Sequence, residues 1–420
     1  MVRVNGINNL DYNTIAIDEH WNDCDDKELM MHTIHAYPAK FPAFMASKAF
    51  EYARREGVKI GRVADIFCGC GTVALEAKNH NYCFWGCDIN PVATLIAKAK
   101  SNEYDSSIFE QYYSQILNKY ENIELSENAY LLANERLRYW FEEKSFCELL
   151  KIYMAIEEVI VEKKYLDAYK CVFSSVLKAA SKWLNKSIKP QVDPDKKEID
   201  VLKKFQLQCD KFVKALNEIE SSDVDIEIKC ANFLDIIDLP RVDLIVTSPP
   251  YVTSYEYADL HQLSSLWLGY VEDYRELRKG SIGSVYNSDD FIIDLNKLND
   301  TGKEIVKSLQ ESDKALSKVK SVARYFVDMQ DAVDKCAKML NPGGMVFFVV
   351  GDTEYKGVKI QNSKHLIEAM EDNGYTDIKI AKRTISKGIC VPFRDEKGKF
   401  STDKTKRKVY HEEFIISGRM

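Results

Sequence analysis

The stretch RVADIFCGCGT at residues 62–72 decides the fold of this chain. It begins as a short, largely apolar run and enters a turn whose two glycines relax the steric limits on the backbone. VALEAKNH (73–80) follows with helical character. A second apolar run at 82–87 ends in Asp88 and leads into INPVATLIAKAK (89–100). Strand, helix, strand and helix in this order predict the opening of a parallel sheet with right-handed crossovers.

A long helical insertion interrupts this alternation. Residues 103–222 are rich in Glu, Lys, Leu and Tyr and place apolar residues at helical spacing. Further segments that contain predicted strands follow at 225–233, 243–251, 341–352, 375–385 and 410–418. We therefore expect a protein of the α/β class, with one discontinuous domain at 30–102 and 223–420 and a large helical insertion at 103–222.

Composition sets the broad class. The chain has 420 residues, of which 45% are hydrophobic and 29% charged, so it can bury a full α/β core. It has no run of about 18 apolar residues, so no segment is expected to span a membrane. The first residues show no export signal, which predicts a cytoplasmic location. The net charge of −7 counts slightly against a nucleic-acid partner, although a basic face can coexist with acidic helices.

The eleven cysteines are expected to be free thiols, because the chain is long and shows no export signal. Four of them lie close together and invite interpretation as a zinc site: Cys68, Cys70, Cys83 and Cys87. The first pair lies within the glycine turn, whereas zinc ligands usually come from free loops. Small buried cysteines are the preferred interpretation, and no metal is expected.

The glycine turn is the first candidate site. Two glycines after a strand let the backbone approach a ligand, and the helix that follows presents unpaired N–H groups. Asp88 closes the next strand, where a carboxylate can accept both hydroxyls of a ribose. Asp65, before the turn, suits a cofactor amino group better than a pyrophosphate. These features fit a nucleoside-bearing cofactor. A purely structural turn is the alternative, because Ala74 stands where a third glycine would complete G-x-G-x-x-G.

The sequence TSPPY at residues 247–251 is the second candidate site and directly follows an apolar strand. Its two prolines lack N–H donors and restrict the backbone. The rigid turn that results presents carbonyl acceptors, the Ser248 hydroxyl and the Tyr251 ring. An amino group on a planar base needs acceptors for its hydrogens and a face on which to stack. A Pro-Pro loop without a chemical role is the alternative.

Together these motifs resemble those of the DNA amino-methyltransferases, which modify N4 of cytosine or N6 of adenine. The resemblance rests on DIFCGCGT (65–72), GCDINP (86–91) and TSPPY (247–251), and HAYPAKFP (35–42) is similar to a cofactor-binding segment of that family. It implies a Rossmann-like methyltransferase fold, with a mostly parallel seven-stranded sheet and an antiparallel last strand. It also implies S-adenosyl-L-methionine as the cofactor and double-stranded DNA as a partner.

The resemblance further implies roles for individual residues. Asp65 would meet the methionine amino group, Asp88 the ribose and Ile89 the adenine of the cofactor. The full set of implied cofactor contacts is Lys40, Phe41, Pro42, Asp65, Cys68, Gly69, Gly71, Thr72, Asp88, Ile89, and Asn232 or Phe233. The implied catalytic pocket consists of Ser248, Pro249, Pro250 and Tyr251. In it, the serine and the first proline carbonyl would accept hydrogen bonds from the target amino group, and the tyrosine would stack on the base.

The prediction of the target base rests on Ser248 alone. In the resembled family, Ser-Pro-Pro-Tyr tends toward cytosine N4, and Asp- or Asn-Pro-Pro-Tyr toward adenine N6. The prediction is a site-specific DNA methyltransferase that acts on N4 of cytosine by base flipping and direct transfer. N6-adenine methylation is the first alternative, and RNA guanine-N2 methylation is the second.

Methylation of cytosine C5 is disfavoured on chemical grounds. That reaction needs a nucleophilic cysteine, in its family after a proline, and no proline here precedes a cysteine. A cognate restriction endonuclease or defence-system proteins are candidate partners.

Two basic stretches are candidates for contacts with DNA phosphates. In the helical insertion, which is the candidate DNA-recognition region, four lysines surround Trp183: Lys178, Lys182, Lys186 and Lys189. The other stretch is the loop at 397–408. Each is equally well explained as a solvated face. Three further side chains follow the Pro-Pro turn at residues 247–251, which is called the target turn below: Tyr255, Tyr257 and His261. We expect them either to contact the flipped base and its neighbours or to pack the next helix.

Overall fold

A mixed eight-stranded sheet forms the centre of the protein. The computed structural model describes residues 1–6, 12, 14–22, 27–252, 256–284, 290–312, 316–385, 393–394, 400–401, 403, 407–408 and 412–420. The strands in chain order are β1 (Val2–Arg3), β2 (Arg62–Asp65), β3 (Cys83–Asp88), β4 (Ile226–Cys230), β5 (Val242–Thr247), β6 (Leu340–Val350), β7 (Thr353–Tyr355), β8 (Val358–Ile360), β9 (Thr376–Thr384), β10 (Phe393–Arg394), β11 (Phe400–Ser401), β12 (Arg407–Lys408) and β13 (Glu412–Arg419).

Helices account for most of the remaining described chain. They are α1 (Ala43–Arg55), α2 (Thr72–Asn79), α3 (Pro91–Ser101), α4 (Ser106–Glu121), α5 (Glu135–Trp140), α6 (Glu143–Val159), α7 (Lys163–Ala180), α8 (Val201–Leu216), α9 (Tyr257–Leu260), α10 (Gln262–Trp267), α11 (Asp300–Ser312), α12 (Ser317–Met339) and α13 (Asn362–Asp372). Among the described residues, no helix is long and apolar enough to cross a membrane.

The strand order in the central sheet is β1-β9-β13-β6-β5-β2-β3-β4. The five strands from β6 to β4 in this order are parallel to one another. Strand β13 is antiparallel to both β6 and β9. This arrangement confirms the predicted Rossmann-like methyltransferase fold, with its mostly parallel sheet and antiparallel last strand. The two-residue edge strand β1 pairs with β9 and adds an eighth strand that the sequence did not predict.

Helices cover both faces of the sheet, because the central strands are apolar on both sides. Val63 and Leu244 pack in the core on the side of α1 and α2, whereas Ala64 and Ile245 pack in the core on the side of α12. With both faces covered, polar side chains can meet a ligand at the carboxyl ends of the strands. The ends of β2, β3 and β5 carry the residues of the candidate site.

Five helices, α4 to α8, occupy the range predicted as a helical insertion, between α3 and β4. They share one hydrophobic core with α3 and α10. Trp267 of α10 lies at the centre of an aromatic cluster, with ring centroids 4.9 Å from Phe146 and 5.5 Å from Phe173. Gln262 contacts the inserted helix α5, because its side-chain oxygen accepts hydrogen bonds from Arg136 (2.8 Å) and Trp140 (2.9 Å). The inserted helices are therefore packed directly against the segment that follows the Pro-Pro turn.

Candidate active site

Asp88 closes the glycine turn. Its two carboxylate oxygens accept hydrogen bonds from the Gly69 N–H at 2.9 Å and the Asn90 N–H at 2.8 Å. Burial raises the pKa of Asp88 to about 6, although both N–H groups favour the charged form. Each carboxylate oxygen keeps a further lone pair, so this aspartate can still accept hydrogen bonds from a diol.

The two glycines of the turn serve different needs, and both have a positive φ, 48° at Gly69 and 76° at Gly71. A Cβ on Gly71 would lie 2.7 Å from the backbone of Ala97 in α3, so helix packing requires glycine there. A Cβ on Gly69 would lie 3.6 Å from the ring of Tyr37. Tyr37 therefore borders the turn, although the sequence did not single it out within residues 35–42.

Asp65 lies at the end of β2 and is 4% exposed. Its Oδ1 accepts hydrogen bonds from the Thr247 hydroxyl at 2.6 Å and from the Phe67 N–H at 3.0 Å. Burial raises the pKa of Asp65 to about 7, against the lowering effect of these two bonds. The carboxyl group therefore lies poised between its charged and neutral forms near neutral pH. Thr247, which the sequence did not single out, joins this carboxyl group to the strand that carries the Pro-Pro turn.

The turn at Ser248 and Pro249 presents two oxygen acceptors. The Ser248 hydroxyl donates to the carbonyl of Val349 in β6 at 3.0 Å. Because its hydrogen is directed to that carbonyl, the lone pairs of the serine oxygen are left for another donor. The Pro249 carbonyl accepts no hydrogen bond from any residue that the structure describes. Both oxygens can therefore accept further hydrogen bonds.

Tyr251 lies next to these acceptors. Its hydroxyl donates to Oε1 of Glu413 at 2.5 Å. A Cβ on Gly351 would lie 3.5 Å from the tyrosine ring, so the ring packs along the chain just after β6. Burial, together with the Glu413 carboxylate, raises the pKa of Tyr251, which keeps the phenol protonated and able to donate. Sequence reasoning missed Glu413, which lies 162 residues further along the chain.

The segment after the target turn contacts residues that lie near the glycine turn. A Cβ on Gly280 would lie 2.9 Å from the side chain of Ile89, so the two residues are in contact. His261 stacks on Tyr37, with ring centroids 5.0 Å apart and an interplanar angle of 28°. Burial lowers the pKa of His261 to about 3, so the ring is neutral. Its position agrees with the packing alternative for this histidine.

The segment before α1 holds three of the implied cofactor residues. The Lys40 ammonium forms an ion pair with Glu28 at 2.5 Å. Phe41 packs against the core on the side of α1, and Pro42 precedes the first residue of that helix. The ammonium of Lys40 thus already has an anionic partner within the protein.

Four further residues implied as cofactor contacts are largely structural in their observed contacts. Cys68 is buried in the glycine turn, and Thr72 is buried as the first residue of α2. The Asn232 side chain accepts a hydrogen bond from the Leu234 N–H at 3.1 Å. Phe233 is 2% exposed and belongs to the core on the side of α12. A cofactor contact through either of the last two residues stays a prediction.

The aromatic residue of the basic stretch in the insertion is a core residue. Trp183 is 2% exposed and stacks on Trp140, with ring centroids 5.2 Å apart. The ammonium of Lys178 donates to the carbonyl of Ser187 at 2.7 Å, and burial lowers its pKa. The ring of Trp183 is therefore not presented to a nucleic acid, whereas a DNA contact through the half-buried Lys178 stays a prediction.

The other lysines of that stretch lie nearer the surface. Lys182 forms an ion pair with Glu142 at 3.5 Å, whereas Lys186 and Lys189 are exposed. Tyr255 lies outside the described residues, as do most positions of the basic loop at 397–408. DNA contacts through these residues stay predictions.

The four clustered cysteines do not form a metal centre in the described chain. Cys68, Cys70, Cys83 and Cys87 are free thiols, and three of them are buried. No group of three or more metal-ligating side chains was found among the described residues. The observed thiols fit the interpretation as small buried side chains.

The fold, the glycine turn and the Pro-Pro turn together define a methyltransferase acting on an amino group. The sequence model of D12 class N6 adenine-specific DNA methyltransferases matches residues 50–277, which is more than half of the chain and includes both turns. The chain belongs to this family of DNA methyltransferases, and S-adenosylmethionine is its methyl donor.

Two relatives agree with this assignment. The chain is 26% identical over 369 residues to the Type II methyltransferase M.MvaI of Kocuria varians, covering 80% of this chain and 79% of that protein. It is 23% identical over 378 residues to the Type II methyltransferase M.BsoBI of Geobacillus stearothermophilus, covering 76% and 74%. The solved structure of the rRNA methyltransferase aviRa from Streptomyces viridochromogenes covers 92% of this chain and 89% of its own, at 8% identity and a TM-score of 0.29. That likeness is too slight to argue from.

Proposed function

We propose that this chain methylates N4 of cytosine at a specific sequence in double-stranded DNA. The observation that supports methylation of an amino group is the pair of acceptors at the Pro-Pro turn, and the choice of cytosine rests on Ser248 as the residue before the two prolines. The Ser248 oxygen keeps its lone pairs free because its hydrogen is given to Val349, and Pro249, the next residue, has a carbonyl oxygen that can also accept. An exocyclic amino group has two hydrogens to donate, so the turn and the amino group are complementary.

The cofactor side of the site fits S-adenosylmethionine, which supplies an electrophilic methyl group on a sulfonium. Asp88 would accept hydrogen bonds from the ribose hydroxyls, since both its oxygens have lone pairs left beside Gly69 and Asn90. Asp65 would pair, in its charged form, with the methionine amino group. The backbone at Gly69 admits a close approach, and the Tyr37 ring borders the same space.

The target base would have to leave the duplex to reach the turn, because its amino group is otherwise held in the base pair. Tyr251 would stack on the base, while Ser248 and Pro249 accept hydrogen bonds from the amino group. These bonds favour a geometry in which the nitrogen lone pair leaves conjugation with the ring and points toward the methyl group. The contribution of the protein is thus orientation and a preorganised set of acceptors.

N6-adenine methylation is the second candidate, and the match to a family described as N6 adenine-specific favours it. The adenine amino group also carries two hydrogens, so the acceptors at Ser248 and Pro249 suit either base. Nucleoside analysis by chromatography and mass spectrometry of DNA from cells expressing the protein separates the two. We expect N4-methylcytosine, which the Asp88→Ala variant should fail to produce. N6-methyladenine without N4-methylcytosine would contradict the choice of base.

The biological setting that we propose is protection of DNA beside a cognate restriction endonuclease, as the names of the Type II relatives suggest. The helices α4 to α8 would contribute to DNA recognition, since they pack on the segment after the target turn. Tritiated methyl transfer to DNA and to RNA, measured in parallel, tests the choice of nucleic acid. Transfer to RNA alone would overturn it.

A further inference from the structure

Tyr251 is held by two linked side chains, Glu413 and Arg383, which come from distant parts of the sequence. Its hydroxyl donates to Oε1 of Glu413 at 2.5 Å. The other carboxylate oxygen of Glu413 accepts a hydrogen bond from Nε of Arg383 at 2.8 Å and forms an ion-pair contact of 2.6 Å with Nη2. The side chains of Glu413 and Arg383 are 13% and 3% exposed. The chain is therefore largely shielded from water, where charge-assisted bonds hold their geometry well.

The sheet itself sets the position of this ion pair. Glu413 of β13 and Arg383 of β9 lie directly opposite each other in the antiparallel register. Strand β13 also pairs with β6, and the chain just after β6 at Gly351 packs against the Tyr251 ring. The antiparallel end of the sheet thus contacts the tyrosine from two sides.

The two prolines restrict their own backbone and the residue before each, but the Tyr251 ring can still turn about its side-chain bonds. The bond to Glu413 removes that freedom by fixing the far end of the ring. It also occupies the hydroxyl, so a base would have to contact the ring rather than the hydroxyl. A positioned ring is worth most where a flipped base must stack in one orientation, since a displacement of about 1 Å can slow a reaction about a hundredfold.

We propose that Glu413 and Arg383 are positioning residues that hold the Tyr251 ring in the orientation required to stack on the target base. The proposal rests on the proposed function, in which Tyr251 stacks on that base. Glu413 acts through the tyrosine hydroxyl, and Arg383 acts by holding the Glu413 carboxylate in place.

A double-mutant cycle tests the proposal, with Tyr251→Phe, Glu413→Ala and the double variant. The measurement is the single-turnover rate of methyl transfer to a duplex that carries the methylation site found in expressing cells. We expect each single variant to be about tenfold slower or more, and the double variant to be no slower than the slower single variant. We expect S-adenosylmethionine affinity to stay unchanged in all three. Effects that multiply in the double variant would overturn the proposal, because Glu413 would then act independently of the hydroxyl.

Two further variants serve as a conservative substitution and as a control. Glu413→Gln keeps an oxygen that can accept from the tyrosine, so it should be faster than Glu413→Ala. Glu56→Gln is the matched control, since it weakens an ion pair of 2.9 Å with Lys379, at a different position of β9. The control should retain the wild-type rate. If Glu413→Ala fails to fold, Tyr251→Phe alone decides, because a wild-type rate in that variant would overturn the proposal.

Tyr251→Ala distinguishes failure of this proposal from failure of the proposed function. A wild-type rate in Tyr251→Ala would contradict the stacking role itself. A slow Tyr251→Ala beside a fast Tyr251→Phe would retain the stacking role and overturn only the positioning role of Glu413 and Arg383.

Discussion

The Thr247 hydroxyl donates a hydrogen bond of 2.6 Å to Oδ1 of Asp65, and both side chains are buried. Asp65 ends β2 and precedes the glycine turn, whereas Thr247 ends β5 and precedes the Pro-Pro turn. Because β2 and β5 are parallel neighbours, their carboxyl ends meet at one edge of the sheet. A single hydrogen bond thus connects the proposed cofactor side of the site with the proposed target side.

Loss of the Thr247 hydroxyl should weaken cofactor binding. The Thr247→Val variant keeps the shape of the side chain but removes a donor that stabilises the charged form of Asp65. We expect S-adenosylmethionine binding at pH 7 to weaken by about 1 kcal/mol in calorimetry. Thr247→Ser retains the donor and should bind like the wild type. Equal affinity in the Val and Ser variants would show that the bond has no role in binding.

Cofactor affinity should depend on pH because of Asp65. Its pKa of about 7 means that acidification below neutral pH protonates the carboxyl group, and a neutral acid cannot pair with the cationic amino group of the cofactor. Affinity should therefore rise as the pH increases through about 7. In Asp65→Asn this rise should vanish, leaving a smaller change near pH 6 from Asp88. A wild-type affinity that is constant between pH 5.5 and 8 would argue against the assigned role of Asp65.

The target turn should matter for turnover and little for cofactor binding. Ser248→Ala removes one of the two proposed acceptors, and Tyr251→Ala removes the stacking surface. We expect each to lower the methyl-transfer rate about a hundredfold, by analogy with the loss of a preorganised hydrogen-bonding group elsewhere. Equilibrium binding of S-adenosylmethionine should stay close to that of the wild type. Unchanged turnover in both variants would refute this location of the pocket.

Trp183 should matter for folding more than for DNA binding. Its ring is buried against Trp140, so Trp183→Ala should lower the free energy of unfolding by about 3 to 5 kcal/mol. Denaturant titration measures this loss, and DNA affinity at a temperature where the variant is folded should change little. A stable variant with selectively weakened DNA binding would contradict the structural role.

The exposed lysines of the same stretch should bind DNA phosphates if the insertion takes part in recognition. In the double variant Lys186→Gln with Lys189→Gln, DNA affinity should fall. The slope of log affinity against log salt should become shallower by about 1 for each phosphate that the variant no longer neutralises. Lys338→Gln is a suitable control, because this lysine is exposed on α12. An unchanged salt slope would exclude both lysines from the interface.

The glycine turn and Asp88, on the proposed cofactor side of the site, could be placed from the sequence, because they lie in short motifs whose geometry is local. The glycines of the turn and Asp88 follow their strands directly, so strand, turn and helix together fix their positions. Tyr37 lay inside a segment already singled out, and Thr247 stood next to Ser248. The available signal for Thr247 was a hydroxyl at the end of one strand, where Asp65 ends another strand of the same predicted sheet.

The support of Tyr251 was beyond sequence reasoning. Glu413 and Arg383 are adjacent only because β9 and β13 pair in one particular register, and no local pattern encodes that pairing. Trp183 shows a second limit, since an aromatic residue among lysines has the same pattern whether its ring is buried or exposed. The edge strand β1 was missed because two residues carry no periodicity.

The proposed methylation of cytosine N4 is tested most directly by sequencing that maps modified bases in DNA from cells that express the protein. We expect N4-methylcytosine at one defined sequence, present with the wild-type protein and absent with Asp88→Ala. DNA without N4-methylcytosine, from cells in which the protein is folded and abundant, would contradict the proposed function.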